Sequence, residues 1–175
     1  MLGLLNHNWT NIKQNGWSSE YPEKAWKDPW DGSGQSYPYA YKGMAEGTVG
    51  WAIYDAQGHA IFQDPVWCIR ATCRQLHNYH LLGARTVQEF IGMWAPAVDG
   101  NDPDEYVRAL LKFDEDLNDI GNKYNLFLDN GSVAKPGLFD DLITAMCRVE
   151  LYSGFEADNV AVWNGINLYE HDFCK

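Results

Sequence analysis

Basic residues are scarce in this chain of 175 residues. It has 13 Lys and Arg against 24 Asp and Glu, which gives a formal net charge of -11 at pH 7. A protein that binds nucleic acid neutralises backbone phosphates with clustered basic side chains, and here these side chains are few and scattered. The composition therefore argues against nucleic acid as a partner.

Long apolar runs are also missing. No window approaches the 18 consecutive apolar residues that a membrane-spanning helix requires. The opening segment Met1–Leu5 is too short for a signal peptide and lacks its basic flank. We therefore expect no membrane span and synthesis in the cytoplasm.

Several common catalytic and metal-binding patterns are absent. The chain contains no glycine-rich phosphate loop, no His-Glu-x-x-His and no Gly-x-Ser-x-Gly. The motifs that nucleotide-binding proteins, zinc proteases and serine hydrolases commonly use are therefore missing. His77 and His80 lie three residues apart on one helix face, but no further ligand follows at a suitable spacing. We predict no metal and no cofactor. The four cysteines are expected to be thiols, since none forms a Cys-x-x-Cys pair: Cys68, Cys73, Cys147 and Cys174.

Aromatic residues are abundant, with eight Trp, ten Tyr and seven Phe in a chain that is 46% hydrophobic. This composition and length predict a single domain over residues 1–175. Residues 1–48 follow neither helical nor strand periodicity, and we predict that they form an irregular, aromatic-rich wrap. Residues 49–62 have β-branched and aromatic runs around a glycine-containing turn, which predicts a β-hairpin.

From residue 65 to about residue 170 the pattern is helical. Apolar residues recur every three or four positions, and the segments are bounded by capping residues, proline or glycine. A capping box is expected at Thr86 and Glu89, and Pro96 should stop the helix that begins there. The other predicted helices are Pro65–Leu82, one that opens at Asn101-Asp102-Pro103 and carries Leu117, Pro136–Leu151, and Asp158 to about Tyr169.

Glu150 is the most unusual residue of the predicted helices. On a helical wheel it falls inside the apolar arc of the fourth helix, at its last turn. Burial favours the protonated form of a carboxyl group, as a general acid requires. The alternative is that Glu150 reaches Arg148 or a backbone N–H beyond the helix end, or that it points into water where the helix frays. A glycosidase normally uses a second carboxylate, and the candidates are Glu20, Glu46, Asp55 and Asp64.

The stretch from Ala60 to Val107 carries a family likeness. Its residues Ala60-Ile-Phe-Gln-Asp-Pro-Val-Trp-Cys-Ile-Arg-Ala71, followed by Trp94-Ala-Pro96 and Asn101-Asp102 with Tyr106-Val107, resemble a family of bacteriophage virion structural proteins. The turn Asn6-His-Asn-Trp-Thr-Asn-Ile-Lys13 and the helix end Leu142–Glu150 match that family more weakly. Both end segments are similar to elements of lysozyme-like glycosidases and lytic transglycosylases, but in the reverse order along the chain.

The resemblance implies a mainly α (α+β), lysozyme-like bundle of about five helices with circularly permuted elements. It implies a capsid or tail protein, made in the host cytoplasm, whose partners are other virion proteins or copies of itself. Such a domain binds or cleaves peptidoglycan during genome delivery, with Glu150 as the catalytic acid. The saccharide would be held by Asn8, Trp9, Asn11 and Lys13. The alternative is a purely structural virion protein that mediates assembly.

Overall fold

The computed structural model describes residues 7–12, 59, 62, 64–152 and 154–174. Within these ranges the protein is mainly helical, as predicted, and contains isolated β-bridges but no strand. The predicted hairpin over 49–62 and the predicted wrap over 1–48 lie outside the described residues, except for 7–12, 59 and 62. The helices are α1 (Pro65–Leu81), α2 (Val87–Trp94), α3 (Pro103–Phe113), α4 (Pro136–Glu150) and α5 (Asn159–Phe173), with short 3-10 helices at Ala97–Asp99 and Glu115–Asp119.

Helix α1 is bounded by local sequence features. The Asp64 side chain accepts a hydrogen bond from the N–H of Val66, and Pro65 occupies the first helical position, where no N–H is needed. Gly83 follows the helix with a φ of 108°, in the left-handed region that favours glycine. The N–H groups of Gly83 and Ala84 bond the carbonyls of His80 and Tyr79, which closes the last turn.

The capping box predicted for the second helix is confirmed. The Thr86 hydroxyl accepts from the N–H of Glu89, and the Glu89 carboxylate accepts from the N–H of Thr86. The backbone N–H groups of Thr86 and Arg85 both donate to the Glu89 carboxylate and hold its pKa below the ordinary value, because they stabilise the charged form.

The predicted extent of the third helix was wrong at its C-terminal end. Helix α3 ends at Phe113, and the buried Leu117 belongs to the separate 3-10 helix Glu115–Asp119. The backbone of Asp114 is extended, and its side chain accepts from the N–H of Asp116. Because the Asp114 side chain caps the turn that follows it, Asp114 ends α3 and begins the 3-10 helix.

Helices α1 and α5 pack closely against each other. A Cβ atom at Gly165 would lie 2.5 Å from Cβ of Ile69, so α5 approaches α1 at a distance that only glycine allows. The fully buried Arg70 forms an ion pair of 2.7 Å with Asp172, which joins the same two helices. Among the described residues, no helix is both long and apolar enough to cross a membrane.

Candidate functional site

Glu150 is the last residue of α4 and is partly buried. The helical wheel placed Glu150 on the apolar side of this helix, and the structure shows that this side is buried. It is formed by Leu138, Phe139, Leu142, Ile143 and Met146. The carboxyl group therefore lies where the hydrophobic core meets the helix end. A polar group in such a position needs hydrogen-bond partners, since leaving it without them costs about 1 to 3 kcal/mol.

Two donors from different helices meet one oxygen of this carboxyl group. The indole Nε1–H of Trp94, at the end of α2, donates to Oε1 of Glu150 over 3.1 Å. The phenol O–H of Tyr106, in α3, donates to the same oxygen over 2.8 Å. The site thus joins α2, α3 and α4 at one atom.

Local sequence features place both donors. Trp94 is the last residue of α2, because Pro96 follows and cannot continue the helix. Tyr106 lies in the first turn and a half of α3, whose start is fixed by the Asp102 cap and by Pro103. Each ring packs against the core, and its polar tip needs a partner there.

The chemistry of the donors distinguishes the two oxygens of Glu150. An indole N–H donates and cannot accept, so Oε1 must act as an acceptor toward Trp94. Burial, and next the negative charge of Glu150, raise the pKa of Tyr106 well above its ordinary value, so its phenol keeps its proton. Oε2 has no hydrogen bond to any residue in the described part of the chain. A proton on Glu150 would therefore be carried by Oε2.

Arg148, which the sequence suggested as a possible partner of Glu150, is engaged elsewhere. Its Nε donates to the backbone oxygen of Phe155 over 3.1 Å, and its guanidinium lies 5.3 Å from the ring centre of Phe113. No ion pair with Glu150 occurs within the described ranges. Among the described residues, only the neutral donors Trp94 and Tyr106 bond the carboxyl group.

The N-terminal turn of residues 7–12 packs against α1. The Asn8 side chain is fully buried and exchanges two 2.8 Å hydrogen bonds with the backbone of Ile12. The Thr10 hydroxyl lies 2.6 Å from that of Thr72 in α1. Asn11 is partly exposed and has a φ of 56°, a left-handed conformation that asparagine tolerates. Asn8 therefore shapes the turn, whereas Asn11 is at its surface.

Trp9 connects this turn to the segment that follows Glu150. Its ring makes an edge-on contact with Phe155, with ring centres 5.2 Å apart. Phe155 in turn contacts the ring of Tyr152, two residues after Glu150, at 5.9 Å. The turn and the end of α4 are thus linked by three aromatic rings. Lys13, the fourth predicted saccharide residue, lies outside the described residues.

In the described ranges, no second carboxylate shares a hydrogen bond with Glu150. Asp64 is exposed and caps α1. The other sequence candidates, Glu20, Glu46 and Asp55, lie outside the described residues. In the part of the chain that the structure describes, no three His, Cys, Asp or Glu side chains are grouped so that they could hold a metal ion.

Trp94 and Tyr106 are site residues that the sequence analysis did not identify as such. They appeared there only as members of the stretch that carries the family likeness. The sequence does give one indication of their role. Each carries a hydrogen-bond donor on a buried helix face, and Glu150 carries an acceptor on the buried face of α4. Which donor meets which acceptor depends on helix packing, because these residues are 44 and 56 positions from Glu150.

No protein-family model and no curated protein matches this chain. The function is therefore inferred from the site around Glu150 together with the motifs of the sequence.

Proposed function

We propose that the chain is a bacteriophage virion protein whose lysozyme-like domain binds and cleaves the glycan strand of peptidoglycan, with Glu150 as the general acid. The observation that carries the proposal is the Glu150 carboxyl group, partly buried and oriented by two neutral donors on one oxygen. Such an arrangement leaves the second oxygen for proton transfer. The resemblance to virion proteins supplies the substrate class.

The proposed reaction uses Oε2 of Glu150. Transfer of its proton to the glycosidic oxygen lets the bond between that oxygen and the anomeric carbon break. Water takes the place of the leaving sugar and returns a proton to the carboxylate, so Glu150 is regenerated. Trp94 and Tyr106 hold the carboxyl group in place throughout, because their hydrogen bonds are on the other oxygen.

The N-terminal turn supplies the saccharide-binding side of the proposal. Asn11, at the surface of the turn, offers amide donors and acceptors to sugar hydroxyl groups, and Lys13 is assigned the same role from the sequence. Trp9 contributes an aromatic ring at the edge of the turn. Asn8 acts indirectly, because its buried amide fixes the conformation that presents Asn11.

Digestion of peptidoglycan by the purified protein and by Glu150→Gln tests the catalytic part. The Gln amide oxygen can still accept from Trp94 and Tyr106, so the variant should remain folded while it lacks a transferable proton. We expect digestion between pH 5 and 7 to fall by about a hundredfold or more in the variant. A parent protein that leaves peptidoglycan intact, or a variant as active as the parent, would refute it.

Virion membership is tested separately. Mass spectrometry of purified particles should detect the chain together with the other virion proteins, or with further copies of itself, that are its proposed partners. Its absence from particles would contradict the proposed location.

A second candidate is a purely structural virion protein that mediates assembly. The observation in its favour is a set of large apolar side chains that are exposed: Leu81, Leu82, Val98, Val160 and Trp163. Exposed apolar groups mark protein interfaces when they are contiguous. In this case Glu150 only joins three helices, and particles assembled with Glu150→Gln would infect as well as the parent.

A further inference from the structure

Three aromatic side chains are exposed among the described residues: Tyr124, Tyr152 and Trp163. Tyr152 is distinguished by its position, since it follows Glu150 by two residues. The Cα atoms of Glu150 and Tyr152 are thus at most about 7 Å apart. Of the three exposed aromatic residues, Tyr152 is therefore the nearest to the proposed acid along the chain.

Tyr152 is also held in place. The N–H of Phe155 donates to the carbonyl of Tyr152 over 2.9 Å, which keeps the two residues together. The rings meet at an angle of 71° with centres 5.9 Å apart, so Phe155 covers at most one face of the Tyr152 ring. Phe155 is buried and also makes an edge-on contact with the ring of Trp9. Tyr152 as a whole remains 44% exposed.

We infer that Tyr152 is the stacking residue of the saccharide site, and that Trp9 and Phe155 support it. This inference rests on the proposed function and names the residue that contacts the sugar. A pyranose ring has an apolar face of C–H groups, which packs against an exposed aromatic ring with little loss of side-chain entropy when that ring is already fixed. Trp9, assigned to the sugar from the sequence, then acts as a positioning residue.

Binding of a soluble N-acetylglucosamine oligomer, measured by calorimetry, tests this inference. Glu150→Gln serves as the parent, because it keeps the site and does not consume the probe. Adding Tyr152→Ala should raise Kd about tenfold, as expected for the loss of a central aromatic contact. Tyr152→Phe keeps the ring and should bind like the parent. Tyr124→Ala, at a matched exposed tyrosine, should also leave Kd unchanged.

A second measurement needs no alanine variant. In a titration followed by NMR, the ring protons of Tyr152 should shift as the oligomer is added, while those of Tyr124 should not. The inference would be overturned if Tyr152→Ala bound the oligomer as tightly as the parent, or if Tyr124→Ala lost as much affinity as Tyr152→Ala. It would also be overturned if the parent did not bind the oligomer. Peptidoglycan digestion by the wild-type protein is measured independently. If the wild type cleaves peptidoglycan but Tyr152→Ala leaves the Kd for the oligomer unchanged, only the stacking role is refuted. If the oligomer binds as expected but the wild type does not cleave peptidoglycan, only the catalytic role is refuted.

Discussion

Replacement of Gly165 by alanine tests the packing of α5 against α1. Helix propensity alone predicts a gain of about 1 kcal/mol, because alanine is the better helix former. The added Cβ would lie 2.5 Å from Cβ and 2.6 Å from Cγ2 of Ile69, and 2.9 Å from the backbone oxygen of Val66. Ile69 is fully buried and the third atom is backbone, so neither can move freely.

Overpacking of this kind costs about 1 to 3 kcal/mol. We expect it to outweigh the gain in propensity, with a net loss of about 1 kcal/mol at the middle of that range. For a chain of this size that lowers Tm by roughly 2 to 4 °C. Thermal unfolding followed by circular dichroism measures the change.

Gly92→Ala is the matched control for this substitution. Gly92 lies inside α2, and a Cβ atom there would meet no atom of the described residues within 4 Å. The same chemical change should therefore stabilise the protein by up to about 1 kcal/mol. If both variants stabilised the protein equally, the close approach of α1 and α5 would be refuted.

Three further predictions follow from described contacts. Asp172→Ala removes the carboxylate that faces the fully buried Arg70 and should lower the free energy of unfolding by about 3 kcal/mol, measured in urea; an unchanged midpoint would contradict it. Burial and the neighbouring Arg74 lower the pKa of His77 from 6.5 to about 4, so the neutral ring stabilises the fold above pH 6.5 and this contribution is lost as the pH falls toward 4; His77→Phe should flatten that dependence in denaturation midpoints. Tyr106→Phe keeps the ring and removes one donor to Glu150, so peptidoglycan digestion should fall by about tenfold while Tm changes by only a few degrees; unchanged digestion would argue against the positioning role.

The sequence predicted helix boundaries well wherever they are set by neighbouring residues. The capping box of Thr86 and Glu89 involves atoms three residues apart, and Pro65 and Pro103 occupy first helical turns, so a short window contains the cause. The end of α3 was missed, because Asp114 is compatible both with a continuing polar helix face and with a cap on the next turn. Only its extended backbone decides between them.

The candidate site was predictable in part. The apolar periodicity of α4 identified Glu150 as a carboxyl group on a buried face, and the structure places its oxygen among donors. The identity of those donors was beyond sequence reasoning, since it depends on how α2, α3 and α4 cross. Asn8 shows the converse: its motif suggested sugar binding, but its amide is used inside the turn, because a tight turn leaves backbone groups of Ile12 that need partners.

The central claim is that Glu150 donates a proton through Oε2, and one measurement tests it most directly. The rate of release of soluble glycan fragments from peptidoglycan is compared between the wild-type protein and Glu150→Gln, after circular dichroism has shown both to be folded. We predict that the wild type releases fragments and that the variant is slower by about a hundredfold or more. Equal rates, or no release by the folded wild-type protein, would contradict it.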